Sequence, residues 1–84
     1  MADLPVRMAR MLIFSARTYG RTIANGSLEL TFTQERVSHH LGVSRQSVAK
    51  ILRGWRQNAW VETEYGRLVV RNLEALRDIA GLTR

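Results

Sequence analysis

The sequence predicts a mainly α-helical domain with a small antiparallel sheet (α+β), and three observations carry that prediction. Four stretches repeat apolar residues at helical spacing next to capping residues. Two stretches alternate apolar and polar residues instead. The chain has 84 residues, 45% of them hydrophobic and 24% charged, which suits one small domain over 1–84 with a compact core, not a disordered tail.

The first helix carries Leu4, Met8, Met11, Leu12, Ala16 and Tyr19 on one stripe, with Arg7, Arg10, Arg17 and Arg21 mostly off it. Asp3 is placed to cap it, Pro5 suits its first turn and Gly20 can end it. A basic amphipathic helix can also lie on a membrane; the core reading is preferred because the rest of the chain needs an apolar partner. "ANGS" (Ala24 to Ser27) is a turn signal, and "LELTF" (Leu28 to Phe32) alternates as a short strand. Thr33 then reads as an N-cap for a helix with Val37 and Leu41 inward, stopped by Gly42. Ser44 caps a further helix with Val48, Ile51, Leu52 and Trp55 at core spacing, running to about Asn58. "WVETEYGRLVV" (Trp60 to Val70) holds two strands around Tyr65-Gly66. Asn72 caps a last helix with Leu73, Leu76, Ile79 and Ala80 on one face. The expected order is helix, strand, helix, helix, strand, strand, helix.

Two helices joined through Gly42 form a helix-turn-helix over about 33–58. Ser38 is the small residue at the crossing, and Val37, Leu41, Val43, Val48 and Ile51 are its apolar contacts. The strand pair at about 60–70 is then a wing, and the whole reads as a winged helix-turn-helix. The outward residues of the second helix are Arg45, Gln46, Ala49, Lys50 and Arg53. A recognition helix presents its first turn to base edges in the major groove, where Arg grips guanine and Gln grips adenine with two hydrogen bonds each. Lys50 and Arg53 can reach further bases or phosphates. Thr33, Ser44 and Ser47 place short hydroxyls near helix N-termini, where backbone N–H groups favour phosphate; His39 faces outward toward the same backbone. Tyr65 and Arg67 at the wing tip can touch the sugar-phosphate backbone or the minor groove, or form only an exposed sheet edge.

Charge points the same way. The net charge is +6, and from Gln34 to Trp60 five cations (Arg36, Arg45, Lys50, Arg53, Arg56) face one anion, Glu35. A polyanion partner fits this balance, nucleic acid before an anionic membrane; solubility alone is the plainer explanation of the charge. There is no cysteine and the only two histidines are neighbours, so neither a disulfide framework nor a metal-ligand set is visible. "MLIF" (Met11 to Phe14) is too short for a membrane span or signal core, and a cytoplasmic location is expected. No phosphate-cradling glycine loop or nucleophile–base pair marks an enzyme. The competing reading is a winged helix that docks on an acidic protein.

On these residues the chain resembles the C-terminal domain of the cyclic-AMP receptor protein and fumarate-nitrate regulator (Crp/Fnr) family. The likeness is carried by Thr33-Gln34-Glu35, Leu41-Gly42-Val43-Ser44-Arg45, Val48, Leu52 and Tyr65-Gly66-Arg67, and it extends to the opening helix and "NLEALRDIAG". The resemblance implies bacterial transcription regulation and dimeric binding to a palindromic operator in double-stranded DNA, with RNA polymerase a further partner. It implies that Arg45, Gln46 and Lys50 occupy the family's main base-reading positions. Thr33, Gln34, His39, Ser44, Ser47, Arg53, Tyr65 and Arg67 form the backbone-contacting set. Family members carry an effector domain and a dimerisation helix before this one, so the chain is expected to be an excised output domain. Such a fragment would be monomeric, without a cofactor of its own, and would bind one half-site weakly and with steep salt dependence.

Departures from the family pattern carry their own expectations. Gln46 stands where Glu is common, Lys50 where Arg is common, and Arg36 where a capping-box Glu is usual. Trp55 and Trp60 are expected in the core. Gly54 would make room for Trp55, Asn58 would take a left-handed cap because Ala59 replaces a frequent Gly, and His40 would be partly buried and hydrogen-bonded.

Overall fold

The computed structural model describes residues 3–81. In chain order they form α1 (Leu4–Tyr19), β1 (Arg21–Thr22), a single 3-10 turn (Ala24–Gly26), β2 (Leu28–Thr31), α2 (Gln34–Leu41), α3 (Arg45–Gln57), β3 (Val61–Glu64), β4 (Arg67–Val70) and α4 (Leu73–Ala80). The strands make one antiparallel sheet in the order β1-β2-β4-β3. The architecture is the winged helix-turn-helix that the apolar spacing predicts, with one element added. β1 is two exposed residues long, too short to show alternation, and exists only because Arg21 and Thr22 pair with Glu29 and Leu28.

Alternation along the strands sorts the sheet into two faces. Leu30, Val61, Leu68 and Val70 turn inward, where they join Met8, Leu12, Val37, Leu41, Val48, Leu52, Trp55 and Leu76 in one core. Glu29, Glu62, Glu64, Arg67 and Val69 lie on the other face. Trp55 is buried as expected, and Trp60 packs half-buried against the same cluster.

The buried face of α1 differs from the expected stripe. Met8, Ala9, Leu12, Ile13 and Ala16 are buried, Leu4 and Met11 are half-buried at its margin, and Tyr19 is 77% exposed. The helix packs on α4 and on β2 together, so the arc it buries is broader than one apolar stripe and rotated from it. Two alanines in that arc let neighbouring elements come close. Asp3 has extended backbone at the helix start but forms no side-chain cap. Gly20 ends the helix in an extended conformation, not a left-handed one, and its need is for space: a Cβ there would stand 2.2 Å from the Ala16 carbonyl oxygen.

Three further local expectations are corrected. A Cβ on Gly54 would meet nothing within 4 Å, so this glycine makes no room for Trp55. His40 is exposed on the rim of the open groove between α1 and α2, and its side chain forms no hydrogen bond among the described residues. The left-handed residue after α3 is Ala59 (φ 59°), while Asn58 keeps φ at −88°. Asn58 is held in the helical turn by two bonds to the Gly54 carbonyl, from its amide (3.2 Å) and from Nδ2 (3.1 Å). The chain then reverses at the next residue, with Trp60 N–H donating to Trp55 O and Ala59 N–H to Arg56 O, both at 2.9 Å. A Cβ in the left-handed region is penalised, whereas glycine is not. Ala59→Gly should therefore raise the unfolding free energy by about 0.5–1 kcal/mol, the left-handed penalty less the entropy glycine adds to the unfolded chain; urea denaturation checks this.

Candidate nucleic-acid interface

Local bonds set the angle between α2 and α3. Thr33 Oγ1 accepts from the Arg36 amide at 3.2 Å and starts α2. Gly42 takes φ 71°, ψ 34°, a region open to glycine at no steric cost. That turn lets the Gly42 amide reach His39 O (3.2 Å) and the Val43 amide reach Ser38 O (3.0 Å). Ser38 is buried at the crossing, and its hydroxyl donates to Glu35 O at 2.8 Å. Ser44 is extended and its Oγ accepts from the Ser47 amide at 3.1 Å. The helix-turn-helix thus has both N-caps and the turn in the places the sequence predicts.

Two arginines that the sequence places off the apolar stripe of α1 tie that helix to others, one to the helix-turn-helix and one to α4. Arg7 of α1 donates to Leu41 O, the last carbonyl of α2, at 2.8 Å, and Arg10 donates to Ala80 O at the end of α4 at 3.0 Å. Free carbonyls at a helix C-terminus attract cations. The partners are 34 and 70 residues apart, so no spacing rule could have found them.

α3 buries Val48, Leu52 and Trp55 and half-buries Ile51. Its opposite face presents Arg45, Gln46, Lys50 and Arg53, all exposed, with Ala49 half-buried among them. At 3.6 residues per turn, Gln46, Lys50 and Arg53 align along the helix, and Arg45 starts the neighbouring row above Ala49. Arg56, further along, donates to Thr63 Oγ1 at 3.1 Å and ties α3 to β3.

The remaining candidates divide by what they have left to offer. Thr33 and Ser44 spend acceptor capacity on capping, so the Thr33 O–H remains a donor. Ser44 Oγ and Ser47 Oγ lie 3.0 Å apart and share one hydrogen bond, which leaves one O–H of the pair free. Gln34 is half-buried in the first turn of α2, and His39 is exposed near its end. At the wing tip Tyr65 is fully exposed, at 102%. Arg67 is differently placed: its Nη1 bonds Glu29 Oε2 and its Nη2 bonds Glu64 Oε1, both at 2.8 Å. The structure therefore groups Arg45, Gln46, Lys50 and Arg53 on one free helix face, and it occupies Arg67 with two carboxylates.

The outer face of the sheet is electrically self-contained. Glu29 also pairs with Arg21 at 2.7 Å, and Glu62 pairs with Arg71. The hydrogen bond from the Arg71 guanidinium holds the Glu62 carboxyl below the usual carboxylate range, and the same bond raises Arg71. Three arginines thus face three glutamates on the sheet, while the cations of α3 have no carboxylate partner among the described residues. Among the described residues, no helix is long and apolar enough to cross a membrane.

Comparisons with known proteins agree with this geometry. A family model described as a Crp-like helix-turn-helix domain matches residues 6–79. A CRP-like cAMP-activated global transcriptional regulator of Mycobacterium tuberculosis is 32% identical over 76 residues, which cover 88% of this chain and 34% of that protein. The structure of a CRP-family transcriptional regulator from Thermus thermophilus superposes with a TM-score of 0.87 at 30% identity, covering 96% of this chain and 42% of that one. The CO-dependent transcription factor CooA from Carboxydothermus hydrogenoformans shares the fold, with a TM-score of 0.86 at 23% identity over 93% of this chain and 37% of its own. The chain thus spans about a third of the length of the curated relative it matches.

Proposed function

The chain belongs to the family of Crp-like helix-turn-helix domains, and from that premise we propose that it binds double-stranded DNA sequence-specifically as the output domain of a bacterial transcription regulator. The observation that carries this reading is the free face of α3: Arg45, Gln46, Lys50 and Arg53 stand exposed, with no carboxylate paired to them among the described residues, on a helix whose other side is locked into the core. In this proposal α3 enters the major groove. Arg45, Gln46 and Lys50 read base edges, and Arg53 joins whichever strand lies nearest. Thr33, Gln34, Ser44 and Ser47 meet the phosphate backbone near the starts of α2 and α3, His39 meets it from the last turn of α2, and Tyr65 meets it from the wing. A palindromic operator would be engaged by two copies, one per half-site.

The test is a selection from random duplex DNA on two copies of the chain tethered together, followed by salt titration against scrambled competitor. A recovered palindrome that survives competitor supports the reading. Equal affinity for selected and scrambled duplex would sink it and favour an acidic protein as the partner of the same basic face.

Gln46 makes a sharper forecast. Its amide can both donate to adenine N7 and accept from adenine N6, whereas a glutamate only accepts, as from cytosine N4. The selected half-site should favour adenine, or discriminate weakly, at the base pair Gln46 faces. Gln46→Glu should move the preference to cytosine by about 1–3 kcal/mol, the usual worth of one base contact. A cytosine preference in the unsubstituted chain, unchanged by Gln46→Glu, would refute the assignment.

A further inference from the structure

The wing carries a cation that the structure does not leave free. Glu64 lies directly opposite Arg67 across the β3–β4 pair, and Glu29 lies diagonally across the β2–β4 pair, where its register partner is Val69. All three side chains share the outer face of the sheet, so the Arg67 guanidinium is gripped from both neighbouring strands at 2.8 Å. The two carboxylates are not equivalent. Glu29 is only 13% exposed and is held by Arg21 as well, whereas Glu64 is 58% exposed and has Arg67 as its partner. Glu29 is thus the anchor and Glu64 the outer gate. Glu64 also adjoins Tyr65 at the tip, the point where a duplex backbone would approach the wing.

On the DNA-binding reading given above, we propose that Glu64 is a positioning residue that keeps Arg67 off the phosphate backbone and so limits the sequence-independent part of binding. Glu29 and Glu64 take two of the five N–H donors of the Arg67 guanidinium, and a phosphate oxygen approaching the others meets the repulsion of both carboxylates, of which Glu64 is the more exposed. Binding to DNA of any sequence is driven by cations that neutralise phosphates and release counterions. A wing whose arginine is internally neutralised adds little to that term. Discrimination is then left to α3, whose cations have no carboxylate partner among the described residues.

The test is a double-substitution cycle on the full 84-residue chain. Dissociation constants would be measured for a selected and a scrambled duplex across a range of salt, for the unsubstituted chain, Glu64→Gln, Arg67→Ala and the double variant. Glu64→Gln should tighten binding to both duplexes by about two- to five-fold, the span an exposed ion pair represents, and should steepen the logarithmic salt slope by about one, the signature of one added phosphate contact. Arg67→Ala alone should change both constants less than about two-fold, an expectation that follows from the small worth of a paired surface charge. In the double variant the gain from Glu64→Gln should vanish.

A gain that survives removal of Arg67 would mean a diffuse charge effect, and the proposal would fail. A salt slope that falls by about one on Arg67→Ala alone would show that Arg67 already holds a phosphate, with the same consequence. Absence of any preference for the selected duplex in the unsubstituted chain would instead overturn the DNA-binding reading itself, before any variant is compared.

Discussion

Arg45→Ala weakens binding to the selected duplex by about 1–3 kcal/mol and relaxes preference at a single base pair, the expected loss of a two-bond grip on guanine. Arg45 is exposed in the first turn of α3 and its side chain has no hydrogen-bond partner among the described residues, so truncating it breaks nothing inside the domain. Urea midpoints of the two chains should therefore agree within about 0.5 kcal/mol of unfolding free energy, as for other surface changes. Competition with duplexes altered one base pair at a time reads the effect. A uniform loss across all sequences, with a shallower salt slope, would reassign Arg45 to the phosphate backbone. No loss at all would remove the free face of α3 from the interface.

Leu52→Ala acts on the opposite side of the same helix and should do the reverse. Leu52 is 0% exposed and shares the core cluster with Trp55, Val48 and the inward residues of the sheet. Its truncation leaves a cavity that the neighbours fill only in part, at a cost of about 2–5 kcal/mol. A domain of this size holds only about 4–12 kcal/mol in total, so a large share of its stability goes. Urea denaturation gives the magnitude. In DNA titrations the apparent affinity should fall only by the unfolded fraction, and the salt slope should not change, because the cations of the exposed face are untouched. A destabilisation below about 1 kcal/mol, too small for a filled core site, would mean that α3 is not docked on that face.

The two substitutions separate because α3 is amphipathic, and that property is legible in the sequence alone. So are its limits: the sequence places the helix at 44–58 and it spans Arg45–Gln57. The caps at Thr33, Ser44 and Asn72 and the left-handed turn at Gly42 fall at the residues expected for them. Each rests on bonds between residues three to five apart, which are available to the chain whatever surrounds it. The exit from α3 shows where local rules run out. Asparagine tolerates the left-handed region better than alanine does, yet Ala59 takes it, because Asn58 spends its amide and side chain on Gly54 O and the chain must then turn into β3.

Residues acting over longer distances were not legible. The rotation of α1 that exposes Tyr19 depends on α4 and β2 packing on it together. The ties from Arg7 to the end of α2 and from Arg10 to the end of α4 depend on where those helices stop in space. Arg67 reads from sequence as a free cation at a wing tip, and only the register of three strands shows it held by Glu29 and Glu64.

The amino-acid order by itself determined the helices, the turn between α2 and α3 and the face of α3 left for a partner, because periodicity and capping are settled within a few residues. Tertiary structure alone decided which of the many arginines remain free: pairing across 34, 38 and 70 residues of chain is set by the packing that brings distant segments into reach.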